Sequence, residues 1–167
     1  MTLAFIGLGS NLGDSVAHLL AARAALAALP ETRLTAASPL YRSAPVGPQD
    51  QPDYVNAVIA IDTALTPTEL LHALLDIEQQ RGRVRGRHWG ERTLDMDLLL
   101  YGSEVVDLAD LQIPHPRLHL RAFVLRPLLD IDATLHLPDG TPLAPCCVAI
   151  KDQPLCPHID ERWSRIP

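Results

Sequence analysis

The chain has 167 residues, 47% of them hydrophobic and 20% charged, which is the size of one domain and close to the average soluble globular composition. That balance excludes a disordered, collagen-like or disulfide-dense class. A net charge of -6, from 14 Lys+Arg against 20 Asp+Glu, excludes a general polyanion binder, whose surface must be basic, so any anion site must be local.

No apolar run approaches a bilayer span, and Met1-Thr2-Leu3 leads straight into Ala4-Phe5-Ile6 without a basic leader. The odd set Cys146, Cys147 and Cys156 fits a reducing compartment. We therefore expect a single cytoplasmic domain over residues 1–167, acting as a monomer, with no membrane and no nucleic-acid partner. Cys146, Cys147, Cys156 and His158 match no paired-ligand zinc spacing, so the cysteines read as small apolar fillers or part of a loose tail.

In chain order, Leu3 to Leu8 reads as a buried strand running into the turn Gly9-Ser10-Asn11-Leu12-Gly13. A helix capped by Ser15 follows, with Val16, Leu19, Leu20, Ala24 and Ala27 at helical spacing until Pro30. A second strand is expected over Arg33 to Ser43. Residues 44–52 carry three prolines and no periodicity and read as a loop. Tyr54 to Ile61 returns to strand. Thr66-Pro67-Thr68-Glu69 has the pattern of a capping box, opening a helix from Pro67 to Gln80. Thr93 to Tyr101 alternates as a strand. After Pro114-His115-Pro116 a helix runs through Phe123, Leu125 and Leu128, and Pro138-Asp139-Gly140 turns between short extended pieces. The last twenty or so residues show no periodicity. The order β-α-β-β-α-β followed by helices predicts an α+β, ferredoxin-like core with added helices and an antiparallel-dominated sheet.

Arg81, Arg83, Arg85, Arg87 and Arg92 place five arginines in twelve residues of a chain whose only lysine is Lys151. Guanidinium groups grip phosphate oxygens bidentately, and glycines let such a segment swing onto a ligand and close over it. The strand that follows puts Asp95 and Asp97 on one face, about 7 Å apart along it, where two carboxylates can converge on a hard cation. Magnesium takes one or two carboxylates and completes its octahedron with water and substrate phosphates. Together these residues describe a metal–phosphate site for a nucleoside triphosphate. There is no Walker glycine loop with its lysine, and the turn at 9–13 reads as a strand–helix connection rather than a phosphate cradle.

Tyr54 and Asn56 share one face of their strand, a stacking surface beside an amide that both donates and accepts, the means of holding a flat heterocycle. Trp89 and Phe123 are further aromatics near candidate residues, and His115 stands between two prolines. Two other readings use the same residues. In one, a non-catalytic domain docks RNA phosphates on the arginines and stacks bases on the aromatics. In the other, a metal-dependent phosphohydrolase activates water at Asp95 and Asp97.

Several segments, in order, carry a family resemblance: Gly9-Ser10-Asn11-Leu12-Gly13, Tyr41-Arg42-Ser43-Ala44-Pro45, residues 47–56, Gly82-Arg83-Val84-Arg85, residues 89–97 and Pro114-His115-Pro116-Arg117. Over about residues 3–140 the chain resembles the 6-hydroxymethyl-7,8-dihydropterin pyrophosphokinases of folate biosynthesis; the segment from 143 to 167 carries no family motif. The resemblance implies transfer of pyrophosphate from ATP to the pterin hydroxymethyl group, with release of AMP. It implies that Asp95 and Asp97 hold two magnesium ions, and that Arg83, Arg92, His115 and Arg121 contact ATP phosphates with Trp89 nearby. It also implies that Tyr54 and Phe123, with Trp89, enclose the pterin, that Asn56 and the backbone near Ser43 and Val46 read its edge, and that Arg83, Arg85 and Arg92 serve catalysis with the aspartates. His88 and Glu91 depart from the family pattern, and Arg87 can substitute for the arginine missing at 88.

Overall fold

Two long strands that are apolar on both faces organise the molecule. In the computed structural model, which describes residues 1–45, 47–82 and 93–165, these are β1 (Thr2–Ser10) and the later β4 (Tyr54–Thr63). Between them lie α1 (Ser15–Ala27), β2 (Thr32–Ala37) and β3 (Tyr41–Ser43). After β4 come α2 (Pro67–Gln80), β5 (Asp95–Tyr101) and the hairpin β6 (Val106–Leu108) and β7 (Leu111–Ile113). The chain then runs through a 3-10 turn at Leu118–Leu120, α3 (Ala122–Ile131), a second 3-10 turn at Ala144–Val148, β8 (Cys156–Pro157) and α4 (Glu161–Ser164). The main sheet runs β5-β1-β4-β3-β8, with β2 also beside β4, and every pairing is antiparallel. This mixed α+β order is compatible with the ferredoxin-like βαββαβ expectation.

Strand alternation sends β1 and β4 side chains to two cores. Ala4, Ile6 and Leu8 of β1 and Val55, Ala57, Ile59 and Ile61 of β4 pack with Val16, Leu19 and Leu26 of α1 and Leu70, Leu74 and Ile77 of α2. On the opposite face Phe5, Val58 and Ala60 pack with Leu118, Leu125 and Leu128, and with Leu143 and Ile150 of the C-terminal segment.

The capping box holds as expected: Thr66 Oγ1 accepts the Glu69 N–H at 3.2 Å and Glu69 Oε1 accepts the Thr66 N–H at 3.0 Å. Three expectations about these elements are corrected. The cap of α1 is Asp14 rather than Ser15, its carboxylate accepting the Ala17 N–H at 3.2 Å. The strand expected over Arg33 to Ser43 is broken, because Pro39 has no N–H for the ladder and Ser38 Oγ turns in to accept the Val58 N–H at 2.9 Å. The alternation expected from Thr93 to Tyr101, which would put Tyr101 on the face of Asp95 and Asp97, is interrupted: that face continues to Leu99 but not to Tyr101. A bulge lets Phe5 pair with Leu100 and Ile6 with Leu98, so Leu99 is the extra residue. Tyr101 is thereby turned to the α1/α2 side, where its hydroxyl donates to the Leu65 carbonyl at 2.5 Å.

The C-terminal segment is not a loose tail. β8 adds a strand to the outer edge of β3, and Trp163, 5% exposed, donates Nε1–H to the Ser38 carbonyl at 2.9 Å under the Arg23 guanidinium 4.9 Å from its ring. Arg162 adds exposed ion pairs to Asp14 and Asp160. Burying an indole is worth on the order of 3 kcal/mol, whereas exposed pairs are screened by water, so Trp163 carries the docking. Cys146 and Cys147 are partly buried fillers against the α3-side core, and Cys156 is exposed. No described helix is long and apolar enough to cross a membrane.

Candidate active site

The α3-side face of the sheet changes character along its length. Near Phe5, Ala60 and Leu100 it is apolar and covered; at its other end it is built from glycines and polar side chains. One cross-strand row reads Asp95, Gly9, Asn56, Tyr41, each directly opposite the next, and the adjoining row reads Asp97, Gly7, Val58. Adjacent strands lie about 4.8 Å apart, so Asp95 and Asn56 flank a floor roughly 10 Å across whose centre has no side chain. Gly9 is needed there: a Cβ on it would stand 3.3 Å from Asn56 Oδ1 and 3.5 Å from the Tyr54 ring.

Asn56 is 3% exposed, and its Nδ2–H donates to Ser43 Oγ at 2.8 Å, which fixes the amide and leaves Oδ1 over the glycine floor. The proline-rich loop beside it is held by a network that the sequence reading did not find. Asn11 Nδ2 donates to Gln51 Oε1 at 3.0 Å and to the Pro52 carbonyl at 2.9 Å, and Gln51 Nε2 donates to the Pro48 carbonyl at 2.9 Å. Asn11 thus serves the connection after β1, so the turn reading holds for residues 11–13 while Gly9 and Ser10 belong to the strand. The only signal for it in the sequence was an amide in a glycine turn.

Asp97 is exposed and Asp95 half-buried on the same face of β5. The segment from Pro114 to Phe123 comes over them. The His115 N–H donates to the Leu99 carbonyl at 3.0 Å, and His115 Nδ1 accepts the Arg117 N–H at 3.2 Å, which places the ring proton on Nε2. Burial pushes the imidazole below the ordinary histidine value; the Asp97 carboxylate opposes this, and the Arg121 and Arg117 charges reinforce it. Burial likewise lowers Arg121, aided by Arg117 and opposed by Asp97 and Asp95, but a guanidinium stays charged at any physiological pH. The Arg121 guanidinium lies 5.5 Å from the centroid of the half-buried Phe123 ring.

The structure therefore brings Ser43, Tyr54, Asn56, Asp95, Asp97, His115, Arg121 and Phe123 onto one end of one sheet face. Val46, Arg83, Arg85, Arg87, His88, Trp89, Glu91 and Arg92 lie outside the described residues. Among the described residues no three His, Cys, Asp or Glu side chains gather as a metal-binding group. The donor set on this face is two carboxylates beside an open glycine floor, which fits a hard, partly hydrated cation such as magnesium better than zinc. A separate cavity of about 390 Å³, lined by Arg23, Leu34, Ser38 and Trp163 among others, includes none of these residues.

Known proteins resemble the chain over most of its length. The chain is 53% identical over 136 residues to the 2-amino-4-hydroxy-6-hydroxymethyldihydropteridine pyrophosphokinase of Pseudomonas aeruginosa, covering 81% of this chain and 84% of that protein. It is 52% identical over 140 residues to the enzyme of the same name from Haemophilus influenzae, covering 84% and 88%. Among solved structures, a Plasmodium falciparum HPPK-DHPS triple mutant with SDX-DHP superposes with a TM-score of 0.71 at 12% identity, covering 91% of this chain and 43% of that longer one. An HPPK-DHPS in complex with substrates gives 0.67 at 11% identity, covering 87% and 42%, so these two share the fold while this chain spans less than half their length. The model of one family matches residues 5–133, and the chain belongs to that family, 7,8-dihydro-6-hydroxymethylpterin-pyrophosphokinase (HPPK).

Proposed function

We propose that the two ends of the Asp95–Gly9–Asn56 row divide the work of a pterin pyrophosphokinase, the phosphates of ATP at the aspartate end and the pterin at the amide end. The chain transfers pyrophosphate from ATP to the hydroxymethyl group of 6-hydroxymethyl-7,8-dihydropterin in folate biosynthesis. The hydroxymethyl oxygen forms a bond to the β-phosphorus and gives up its proton to water, the bond from that phosphorus to the α,β-bridging oxygen breaks, and AMP leaves with that oxygen.

In this reading the pterin ring lies between Tyr54 and Phe123 over the glycine floor, with Asn56 Oδ1 and the backbone near Ser43 and Val46 reading its edge. Trp89 adds a third aromatic. Asp95 and Asp97 would hold magnesium, as two ions, whose charge when bound would screen that of the transferring phosphates. His115 donates from Nε2–H to a phosphate oxygen, and Arg121 supplies a fixed positive charge beside it. Arg83, Arg85 and Arg92 serve the phosphates from the neighbouring segment, Arg92 in binding as well as turnover. No described side chain is placed as an obligatory base, so alignment and charge stabilisation carry the rate, as phosphoryl chemistry allows.

We further propose one domain over residues 1–167, acting as a cytoplasmic monomer without a nucleic-acid partner. The observation that carries the site reading is the row itself, with carboxylates at one end and a pinned amide beside an aromatic at the other. The test is AMP formation by purified protein. AMP should appear from ATP only when magnesium and the hydroxymethyl dihydropterin are both present. ADP as the product, or turnover that ignores the pterin, overturns the reading.

A further inference from the structure

Helix α3 begins without a side-chain cap of its own: Arg121 occupies the capping position and makes no capping hydrogen bond. The first N–H groups of a helix have no partner inside it and must find one elsewhere. Here the partner comes from far along the chain. Gln153 Oε1 accepts the Ala122 N–H at 2.8 Å, and Gln153 Nε2–H donates to the Leu120 carbonyl at 2.8 Å. One carboxamide therefore grips the backbone on both sides of a single residue, Arg121.

The grip is anchored. The Gln153 N–H donates to the Ile150 carbonyl at 3.0 Å, and Ile150, 5% exposed, packs in the same core as Leu118, Leu125 and Leu128. Gln153 itself is exposed and contributes nothing to that core. It also lies beyond residues 5–133, the part matched by the family model.

We propose that Gln153 is a positioning residue for pyrophosphoryl transfer, its carboxamide fixing the backbone at Arg121 so that the guanidinium and the Phe123 ring face the site together. The proposal rests on the site reading for Arg121 and Phe123. An exposed amide that only capped a helix would change stability slightly and leave catalysis alone. A positioning amide acts through the side chain it aims, because small misplacements of a charge-stabilising group are costly in rate.

The test uses the full chain and AMP formation under steady-state conditions, with Gln153→Ala, Gln153→Glu, Arg121→Ala, Phe123→Ala and the double variant Gln153→Ala/Arg121→Ala. Gln153→Ala should lower kcat/KM roughly tenfold while shifting Tm by no more than about 4 °C. Gln153→Glu keeps the acceptor for Ala122 and loses the donor to Leu120, and should fall between wild type and Gln153→Ala. In the Arg121→Ala background the Gln153 substitution should have a clearly smaller effect, confined to the part that acts through Phe123, since residues acting through one another are not additive. Wild-type kinetics for Gln153→Ala, or an equal loss in both backgrounds, overturns the proposal while leaving the site reading intact. Wild-type activity of both Arg121→Ala and Phe123→Ala overturns the site reading, and the proposal with it.

Discussion

Asp95 and Asn56 stand in one row across the sheet, each directly opposite Gly9 and on either side of it. A side chain at Gly9 would intrude between them, at 3.3 Å from Asn56 Oδ1 and 3.5 Å from the Tyr54 ring. Asn56 is held by its bond to Ser43, so it cannot yield freely. Gly9→Ala should weaken pterin binding by about 1–3 kcal/mol, the range for overfilling a packed site, with ATP affinity unchanged. Calorimetric titration of each ligand checks this, and equal losses for both would mean that the floor is not the pterin subsite.

Asp97 is exposed at the carboxylate end of the floor, so its removal costs no core packing. Asp97→Ala should lower kcat by several orders of magnitude and leave the thermal unfolding midpoint near that of the wild type. A charge clamp on transferring phosphates is worth several kcal/mol at the transition state. Near-normal turnover at ordinary magnesium concentrations would remove the aspartate pair from the site.

Phe123 carries two contacts, the proposed pterin face and the Arg121 guanidinium 5.5 Å from its centroid. Phe123→Ala should weaken pterin binding by about 1–3 kcal/mol from lost stacking and area. ATP affinity should fall less, by about 0.5–1 kcal/mol, the range for loss of an arginine's aromatic seat. An ATP loss as large as the pterin loss, measured by calorimetry, would identify Phe123 as a structural residue of α3.

Tyr41, next to Asn56 in the same row, donates its hydroxyl to Asp130 Oδ2 of α3 and so ties β3 to the helix that bears Phe123. Burial, then the hydrogen bond and charge of Asp130, push the phenol up to about 12 from an ordinary 10.0. A group whose folded value is raised lends stability that is complete below the unfolded value and lost as pH climbs through the folded one. Stability should therefore decline between about pH 10 and 12, and Tyr41→Phe should flatten that decline. Urea unfolding across this range, together with phenolate absorbance, reads both effects.

Legibility in the sequence followed the range of the interaction. Thr66 and Glu69 announce their helix because a capping box is closed within four residues, and Asp95 and Asp97 share a face because period two is local. The split at Pro39 was missed because an apolar stretch reads the same whether one ladder or two consume it. The amide clamps made by Asn11 and Gln153 join residues some 40 and 31 positions apart, and nothing in either neighbourhood marks the partner. Trp163 was invisible for the same reason: its carbonyl partner, Ser38, lies 125 residues earlier.

The bulge at Leu99 sets a rule for lengths rather than identities in β5. Upstream of it the strand keeps its aspartates toward the ligand face; downstream it keeps Tyr101 bonded to Leu65 on the other. The bulge absorbs the extra residue, so that one strand satisfies both demands. Deleting Leu99 would remove the bulge and restore strict alternation with Phe5 still opposite Leu100, so Asp95 and Asp97 would keep the ligand face and the Tyr101 phenol its carbonyl, at the cost of one buried leucine. Adding a residue between Asp97 and Tyr101, with the single bulge kept, would instead turn the phenol to the aspartate face, so this strand should tolerate exchange of its aliphatic residues and loss of the extra one while rejecting an insertion.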